Sequence, residues 1–268
     1  MTVTCTVAPV LVRPVCFSIQ TISDELSFHR LSVVREINEP WHLADQSVEA
    51  FSRLLPLLAC GEESAIHVFF NAATAHPSER PIHKISANLS AQALMNIAQD
   101  EMRHEAWLAA WRARLPDCLE QSVRRQAQKF FSGLASDIPA VHFIRIAALD
   151  SAVCQILASL MSSKAPLSQV QEIKTTFNLI RSDEARHVRI SRDFAAAWGA
   201  TPEQFHAEWR AVRVALATLL EGVAPDLAIL GANPEQLFEK LRRLPEMSTP
   251  QMSLPSFSAP FTQQSVGR

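Results

Sequence analysis

Apolar residues recur every three or four positions along most of this chain, and that spacing is the period of an α-helix. Helices are predicted over about residues 45–75, 88–114, 117–135, 137–163, 168–198, 201–222 and 233–243, with a loop at 76–87. Asp137 and Ser168 are the expected N-caps of two of them, and Pro56 is expected to kink or split the first. The predicted fold class is therefore all-α.

The two ends of the chain differ in composition from this helical middle. Residues 1–20 are rich in Val and Thr and contain Pro9 and Pro14, so an extended N-terminal arm is predicted there, followed by a short helix at 23–37. Residues 244–268 are rich in Ser, Pro and Gln and are predicted to form a disordered tail. The sequence thus predicts one helical domain over residues 21–243.

One five-residue motif occurs twice within predicted helices. The chain reads Asp-Glu-Met-Arg-His at 100–104 and Asp-Glu-Ala-Arg-His at 183–187. In a helix, the Glu and the His of each copy project from one face, because they are three residues apart. A single pair of this kind is usually a solvated pair. Two such pairs on facing helices can bind two metal ions, and the repetition favours that interpretation.

Two further acidic residues lie in the apolar stripes of other predicted helices. Glu62 has Leu55 and Phe69 at helical spacing on its face, whereas Glu63 lies at the edge of that stripe. Asp150 lies on the apolar face of the predicted helix 137–163. A bare buried carboxylate costs several kcal/mol, so each of these two side chains must be paired or bound to metal.

These residues together define a candidate metal site. The predicted ligands are Glu62, Glu101, His104, Asp150, Glu184 and His187. Carboxylates and imidazoles without thiolate suit iron or manganese better than copper or structural zinc. Four carboxylates also neutralise two divalent cations, so the filled site would carry no net charge. The predicted cofactor is a pair of iron ions, with a manganese–iron pair as the alternative.

The remaining charged residues of each motif copy are expected to support the ligands. These residues are Asp100, Arg103, Asp183 and Arg186. A metal-bound histidine usually donates its second N–H to a carboxylate or a carbonyl. Each aspartate is therefore expected to contact the histidine of the opposite copy, and each arginine to neutralise an aspartate. The alternative is that the Arg–Asp pairs are only i,i+3 salt bridges within one helix.

Composition narrows the function classes further. The chain has 268 residues, a net charge of −2 and five scattered cysteines without CxxC spacing, which favours reduced thiols in a cytoplasm. The apolar N-terminus has no basic residues before it, so no signal peptide is expected, and no membrane span is predicted. The chain has no overall basic charge that would favour nucleic acid as a partner.

The order of the candidate ligands over residues 62–187 resembles that of the ferritin-like di-iron carboxylate superfamily. The repeated Asp-Glu-x-Arg-His motif is similar to that of soluble di-iron oxygenases, desaturases and ribonucleotide reductase small subunits. The resemblance implies a ferritin-like four-helix bundle with additional flanking helices. It also implies that Glu101 and Glu184 bridge the two ions and that Glu62 and Asp150 are terminal ligands.

Three features depart from the members that this chain resembles. Asp150 stands where the third helix usually carries Glu, and it is shorter. Length and layout are most similar to p-aminobenzoate N-oxygenase-like enzymes and tRNA-modifying hydroxylases, but Ile180 stands where such N-oxygenases carry an additional histidine. The chain has no tyrosine, so a stable tyrosyl radical of the reductase type is impossible.

The expected function is that of an O2-activating oxygenase or oxidase. A small organic substrate and an external electron donor would be its partners, and a homodimer is expected only on base rates. The predicted substrate-pocket residues are Phe69, Phe143, Cys154, Leu157, Phe177 and Phe194. The alternatives are a ferroxidase or iron-storage protein, a tRNA hydroxylase using a basic patch near Arg112, Arg114, Arg124 and Arg125, and a metal-free scaffold.

Overall fold

The computed structural model describes residues 41–74 and 90–243. The predicted arm at 1–20, the helix at 23–37, the loop at 76–87 and the tail at 244–268 lie outside the described residues. Within the described ranges every regular element is a helix, which confirms the all-α class. The helical unit begins at Ala44, and Trp41–Leu43 belong to the unit that precedes it.

Eight α-helices and one 3-10 helix make up the described part of the chain. They are α1 (Asp45–Thr74), α2 (Ala91–Arg112), α3 (Gln121–Ser132), α4 (Pro139–Leu160), the 3-10 helix (Pro166–Gln169), α5 (Gln171–Ala197), α6 (Pro202–Glu221), α7 (Ala224–Ile229) and α8 (Pro234–Arg242). The 3-10 helix and α7 are short elements that the periodicity of the sequence did not predict.

Two of the expected helix starts are wrong. Ser168 lies in the 3-10 helix, where its hydroxyl donates to the carbonyl of Ala165 at 2.7 Å, and α5 begins only at Gln171. Asp137 does not cap α4, which begins with Pro139. Proline suits the first position of a helix because its φ is preset and its missing N–H would have no helical partner there.

The predicted starts of the helices near 201 and 233 are confirmed. The side chain of Thr201 accepts from the backbone of Gln204 and the Gln204 side chain accepts in return, so α6 begins with a capping box. Asn233 caps α8 by accepting from the backbone of Gln236 at 2.9 Å. The split expected at Pro56, by contrast, does not occur, because α1 continues through that residue as one helix.

The four helices that carry the predicted ligands form the centre of a bundle. The most extensive contacts are those of α1 with α2 and of α4 with α5, and α2 also contacts α5. The remaining helices flank this group: α6 packs on α4, α3 contacts both α1 and α6, and α7 packs on α1. The inward faces of the ligand-bearing helices are thereby removed from water.

Among the described residues, α4 is the one helix that is long and apolar enough to cross a membrane. Most of that apolar window is buried inside the protein. Its buried residues include Ile144, Ala148 and Ala152, which are fully enclosed, and the acidic Asp150. A core helix enclosed by other helices has this composition because nearly every face of it meets apolar neighbours.

A buried arginine ties the C-terminal helix to the bundle. Arg213 of α6 is 2% exposed, and it donates to the backbone carbonyls of Leu241 at 2.8 Å and Lys240 at 3.2 Å. It also donates to Ser151 Oγ at 3.1 Å and to Gln155 Oε1 at 2.5 Å on α4. Burial lowers the pKa of Arg213 to about 10, but the group stays charged and joins three helices.

We expect Arg213→Leu to lower the free energy of unfolding by about 3 kcal/mol, because it leaves several buried acceptors without donors. Urea unfolding followed by circular dichroism measures this. Arg210→Leu is the matched control, since Arg210 is exposed on the same helix and should change stability by less than about 0.5 kcal/mol. Equal effects of the two substitutions would contradict the anchoring role.

Candidate metal centre

The bundle brings all six predicted ligands into its interior. Helix α1 supplies one, α2 two, α4 one and α5 two, and none of the six is more than 6% exposed: Glu62, Glu101, His104, Asp150, Glu184 and His187. Glu63, by contrast, is exposed. The helical period therefore identified the inward-facing member of this adjacent pair.

The ligand atoms form two groups that share one residue. Glu62, Glu101, His104 and Glu184 each offer an atom within 4.8 Å of the others. A second group joins Asp150, His187 and the same Glu184 within that distance. Each group is compact enough to hold one metal ion.

His104 faces three carboxylates with one ring nitrogen. Its Nδ1 lies 3.1 Å from Glu62 Oε2, 3.4 Å from Glu184 Oε1 and 3.7 Å from Glu101 Oε2. These carboxylates come from three different helices. The imidazole therefore marks the point at which α1, α2 and α5 converge.

His187 occupies the corresponding place in the second group. Its Nδ1 lies 2.9 Å from Glu101 Oε1 and 3.6 Å from Glu184 Oε2, and its ring centroid is 6.1 Å from that of His104. Glu101 and Glu184 therefore lie near both histidines, and Glu184 belongs to both groups.

Several of these buried atoms have no hydrogen-bond partner among the described residues. They are Glu101 Oε1, His187 Nδ1 and Asp150 Oδ2. The first two are close together, yet their geometry is not that of a hydrogen bond. Buried polar atoms are almost always hydrogen-bonded, so the exceptions need a partner of another kind. A cation bound at these atoms, in place of the proton on Nδ1, would supply one, and the donor set therefore fits bound metal.

The outer nitrogen of each histidine meets an aspartate from the opposite motif copy. His104 Nε2 lies 3.2 Å from Asp183 Oδ2, and His187 Nε2 lies 3.3 Å from Asp100 Oδ2. A carboxylate only accepts, so each Nε2 carries the proton and Nδ1 faces the other predicted ligands. The expected crossing of aspartate and histidine between the two helices is present.

The two arginines join these aspartates into a ring. Arg103 donates to Asp100 at 2.7 Å and to Asp183 at 2.8 Å, while Arg186 contacts Asp183 at 3.1 Å and also donates to Asp100. The salt bridges within one helix and those between helices therefore coexist, so the two alternatives from the sequence were not exclusive. The pKa of Asp183 is lowered to about 2, mainly by its contact with His104 and then by the two arginines.

Burial and mutual repulsion of the carboxylates have their largest effect on the pKa values of Glu62 and Asp150. Burial, and then repulsion from Glu101 and Glu184, raises the pKa of Glu62 well above its usual range. Burial and repulsion from the same two residues do the same to the pKa of Asp150. Burial also opposes ionisation of Glu101, but its interactions with the two histidines outweigh burial and lower its pKa.

The histidines hold protons strongly in the metal-free protein. Burial alone would lower the pKa of each, but the carboxylates around them prevail. Asp183 is the largest contributor to the raised pKa of His104, and Asp100 is the largest for His187, whose pKa rises to about 12. A metal ion bound at Nδ1 would replace a proton, so protons and metal compete for the cluster.

Aromatic layers pack on two sides of the cluster along α5. Two turns before Glu184, Phe177 meets Trp111 at 5.4 Å and Phe51 at 6.2 Å between ring centroids. Two turns after His187, Phe194 stacks on Phe143 at 4.9 Å. All of these rings are buried.

Three of the predicted substrate-pocket residues, Phe143, Phe177 and Phe194, lie in these layers, and none of the six lines the cavity beside the ligands. Phe69 packs against the His187 ring at 6.2 Å, and Leu157 is 1% exposed in the core. Cys154 approaches the backbone carbonyl of Arg181 at 3.6 Å. Burial and the nearby acidic side chains raise the pKa of this thiol to about 12, so it stays protonated.

The cavity beside the ligands is lined by a different set of residues. These residues are Leu54, Leu57, Leu58, Gly61, Glu62, Ala65, Glu101, Phe131, Leu149, Asp150, Val153, Ile156, Glu184, Leu216, Leu219 and Leu220. Helices α3 and α6 contribute to its wall, which the sequence prediction did not anticipate. The helical spacing of the three α6 leucines was the only sequence signal for this part of the wall. It indicates that they face an apolar neighbour, but not which one.

No protein-family model, curated protein or solved structure matches this chain.

We expect the metal-free protein to lose stability as the pH rises from about 5 to about 8. Glu62 and Asp150 have raised pKa values, so the folded state binds more protons than the unfolded state in this window. His104 and His187 act in the same direction: their stabilising contribution is complete below the unfolded histidine pKa and declines above it. Urea unfolding at the two pH values measures the difference.

Saturating manganese(II) is expected to reverse this trend, because proton competition weakens metal binding as the pH falls. Glu62→Gln should make the metal-free protein more stable at pH about 8 while reducing the gain that manganese confers. A metal-free stability that rises with pH over this range would contradict the charge distribution described above.

We expect Asp183→Asn to weaken manganese(II) binding by about 10- to 100-fold, since the amide cannot hold the Nε2 proton of His104 as a carboxylate does. Calorimetric titration of the metal-free protein measures the affinity. Asp193→Asn is the matched control on the same helix, because Asp193 is exposed, and its affinity should equal that of the unmodified protein. An unchanged affinity in Asp183→Asn would remove the orienting role from this contact.

Proposed function

We propose that this protein is a di-iron oxygenase or oxidase that activates O2 and oxidises a small organic substrate. The observation that carries the proposal is the pair of metal-binding groups that share Glu184, with Glu101 close to both histidines. The resemblance of the repeated motif to di-iron carboxylate proteins supports it independently of the geometry.

The donor set favours iron or manganese. Carboxylate oxygens dominate, imidazole completes each group, and no cysteine belongs to either group. Two divalent cations would compensate the four buried carboxylates, which otherwise repel one another strongly enough to raise the pKa of Glu62 and Asp150. Two positive ions in the bundle interior would relieve this repulsion.

The residues around the ligands have separate tasks under this proposal. Glu101 and Glu184 would hold both ions, while Glu62 and Asp150 would each complete one side. Asp183 would keep the His104 ring in the orientation that presents Nδ1 to metal. When bound, a pair of ferrous ions supplies two electrons to O2. The aromatic layers on α5 would keep bulk water away from that chemistry.

The tRNA alternative has weaker support. Its basic patch is partly neutralised, because Arg114 donates to Glu172 at 3.1 Å and Arg124 donates to Asp117 at 2.7 Å. Binding of tRNA with an affinity that falls steeply with salt would favour this alternative over a small substrate.

Anaerobic titration with ferrous iron tests the proposal. We expect about two irons per chain, and an absorbance and Mössbauer change on exposure to O2. Glu101→Gln should reduce the stoichiometry and slow the reaction with O2. Glu105→Gln, a substitution of the same kind four residues further along α2, is the control and should keep both.

The outcomes of this experiment separate the candidate functions. Failure to bind iron, or equal behaviour of Glu101→Gln and Glu105→Gln, would reject the di-iron centre. Oxidation of iron followed by accumulation of a ferric mineral in a multi-subunit shell would favour iron storage over oxygenase activity.

A further inference from the structure

The cavity beside the candidate metal centre extends along the bundle. Its wall on α1 runs from Leu54 to Ala65, which is about 16 Å at 1.5 Å per residue. Glu62, in that wall, belongs to the metal-binding group, and Asp150 lines the opposite side on α4. The cavity therefore reaches the predicted ligands directly.

The wall of the cavity consists of an acidic part and an apolar part. Four of its residues are polar, and all four are predicted ligands: Glu62, Glu101, Asp150 and Glu184. The others are aliphatic side chains, one phenylalanine and one glycine. Away from the ligands, the wall offers no side-chain hydrogen bond and no charge to a bound molecule. Burial of apolar surface is therefore the only contribution of this part of the wall that favours binding.

The dimensions of the cavity restrict what can enter. Its volume is about 40 Å³, well below the ~300–1,000 Å³ of pockets that enclose drug-sized ligands. A small volume bordered by three turns of α1 suits a thin linear group better than a ring system or a branched polar molecule. The remainder of a larger ligand would stay outside.

Three wall residues mark the outer end of the cavity. Leu58 and Gly61 on α1 and Val153 on α4 are partly exposed, whereas the other residues of the wall are buried. The most accessible part of the wall, called the opening below, is therefore carried by α1 and α4, near the ligands on these helices.

Gly61 is a glycine in the interior of a helix, where glycine costs about 1 kcal/mol relative to alanine. A Cβ placed on it would meet the Phe131 ring of α3 at 3.4 Å, which is ordinary contact. Alanine would therefore fit, but a larger side chain would compete with Phe131 and the open space for the same volume. The glycine keeps the opening wide at this point.

We propose that this cavity binds an uncharged aliphatic chain of the substrate, with the chain lying along α1 and reaching the metal ligands. The inference rests on the proposed function for its chemistry, but the binding itself needs no metal. Chain length, and not polar recognition, would then select the substrate within the cavity, and Gly61 would be a specificity-determining residue.

The test measures binding of butanol, hexanol and octanol to the metal-free, full-length protein by isothermal titration calorimetry. Affinity is expected to rise about fourfold with each added methylene group that the cavity buries, as transfer of CH2 from water predicts. Gly61→Leu should lower octanol affinity at least about tenfold, since it fills space that several methylene groups would occupy. Gly61→Ala is the matched control and should retain most of it.

A second variant tests the same inference in case Gly61→Leu fails to fold. Val153→Phe narrows the opening from the opposite helix and should also weaken octanol binding, and thermal unfolding shows whether each variant is folded. Affinity that does not depend on chain length would overturn the inference. So would octanol affinity that neither folded variant changes.

The two proposals fail in distinguishable ways. Binding of two irons with an O2 response but no chain-length dependence would reject the aliphatic chain and leave the di-iron function standing. Chain-length-dependent binding without iron binding would reject the di-iron function and leave an apolar binding cavity.

Discussion

The structure depends on how four carboxylates are tolerated inside an apolar bundle. Moving one charged group out of water costs several kcal/mol, and mutual repulsion increases the cost of four. Protein groups compensate only part of it: two histidines face inward, and the terminal carboxyls of Glu62 and Asp150 respond by favouring protons. The negative charge that the protein groups leave uncompensated is the physical reason to expect bound cations.

Compensation is arranged in layers from the interior to the surface. The inner nitrogens of the histidines face the buried ligands, their outer nitrogens face Asp183 and Asp100, and these aspartates bind arginines whose side chains are 44% exposed. Charge of alternating sign thus leads out of the core to solvent. Because each motif copy supplies the aspartate for the histidine of the other, the arrangement requires both helices and locks α2 against α5.

The apolar part of the bundle is divided between two tasks. Aromatic rings pack in layers before and after the ligands on α5, where their size excludes water. Smaller aliphatic residues of α1, α4 and α6 leave a narrow space beside the carboxylates. The side of the cluster that is packed and the side that is open therefore differ in side-chain size, not in polarity.

The sequence alone determined the helical class, the inward face of each long helix and the six residues that converge, because a period of 3.6 places Glu62 inward and Glu63 outward. It did not determine where the cavity lies. Phe177, Phe143 and Phe194 share the apolar faces on which the ligands lie, but only packing decides that they meet other rings while Gly61, Phe131 and Leu216 border open space. Periodicity specifies that a face is buried, and the tertiary structure decides against which neighbours and how tightly.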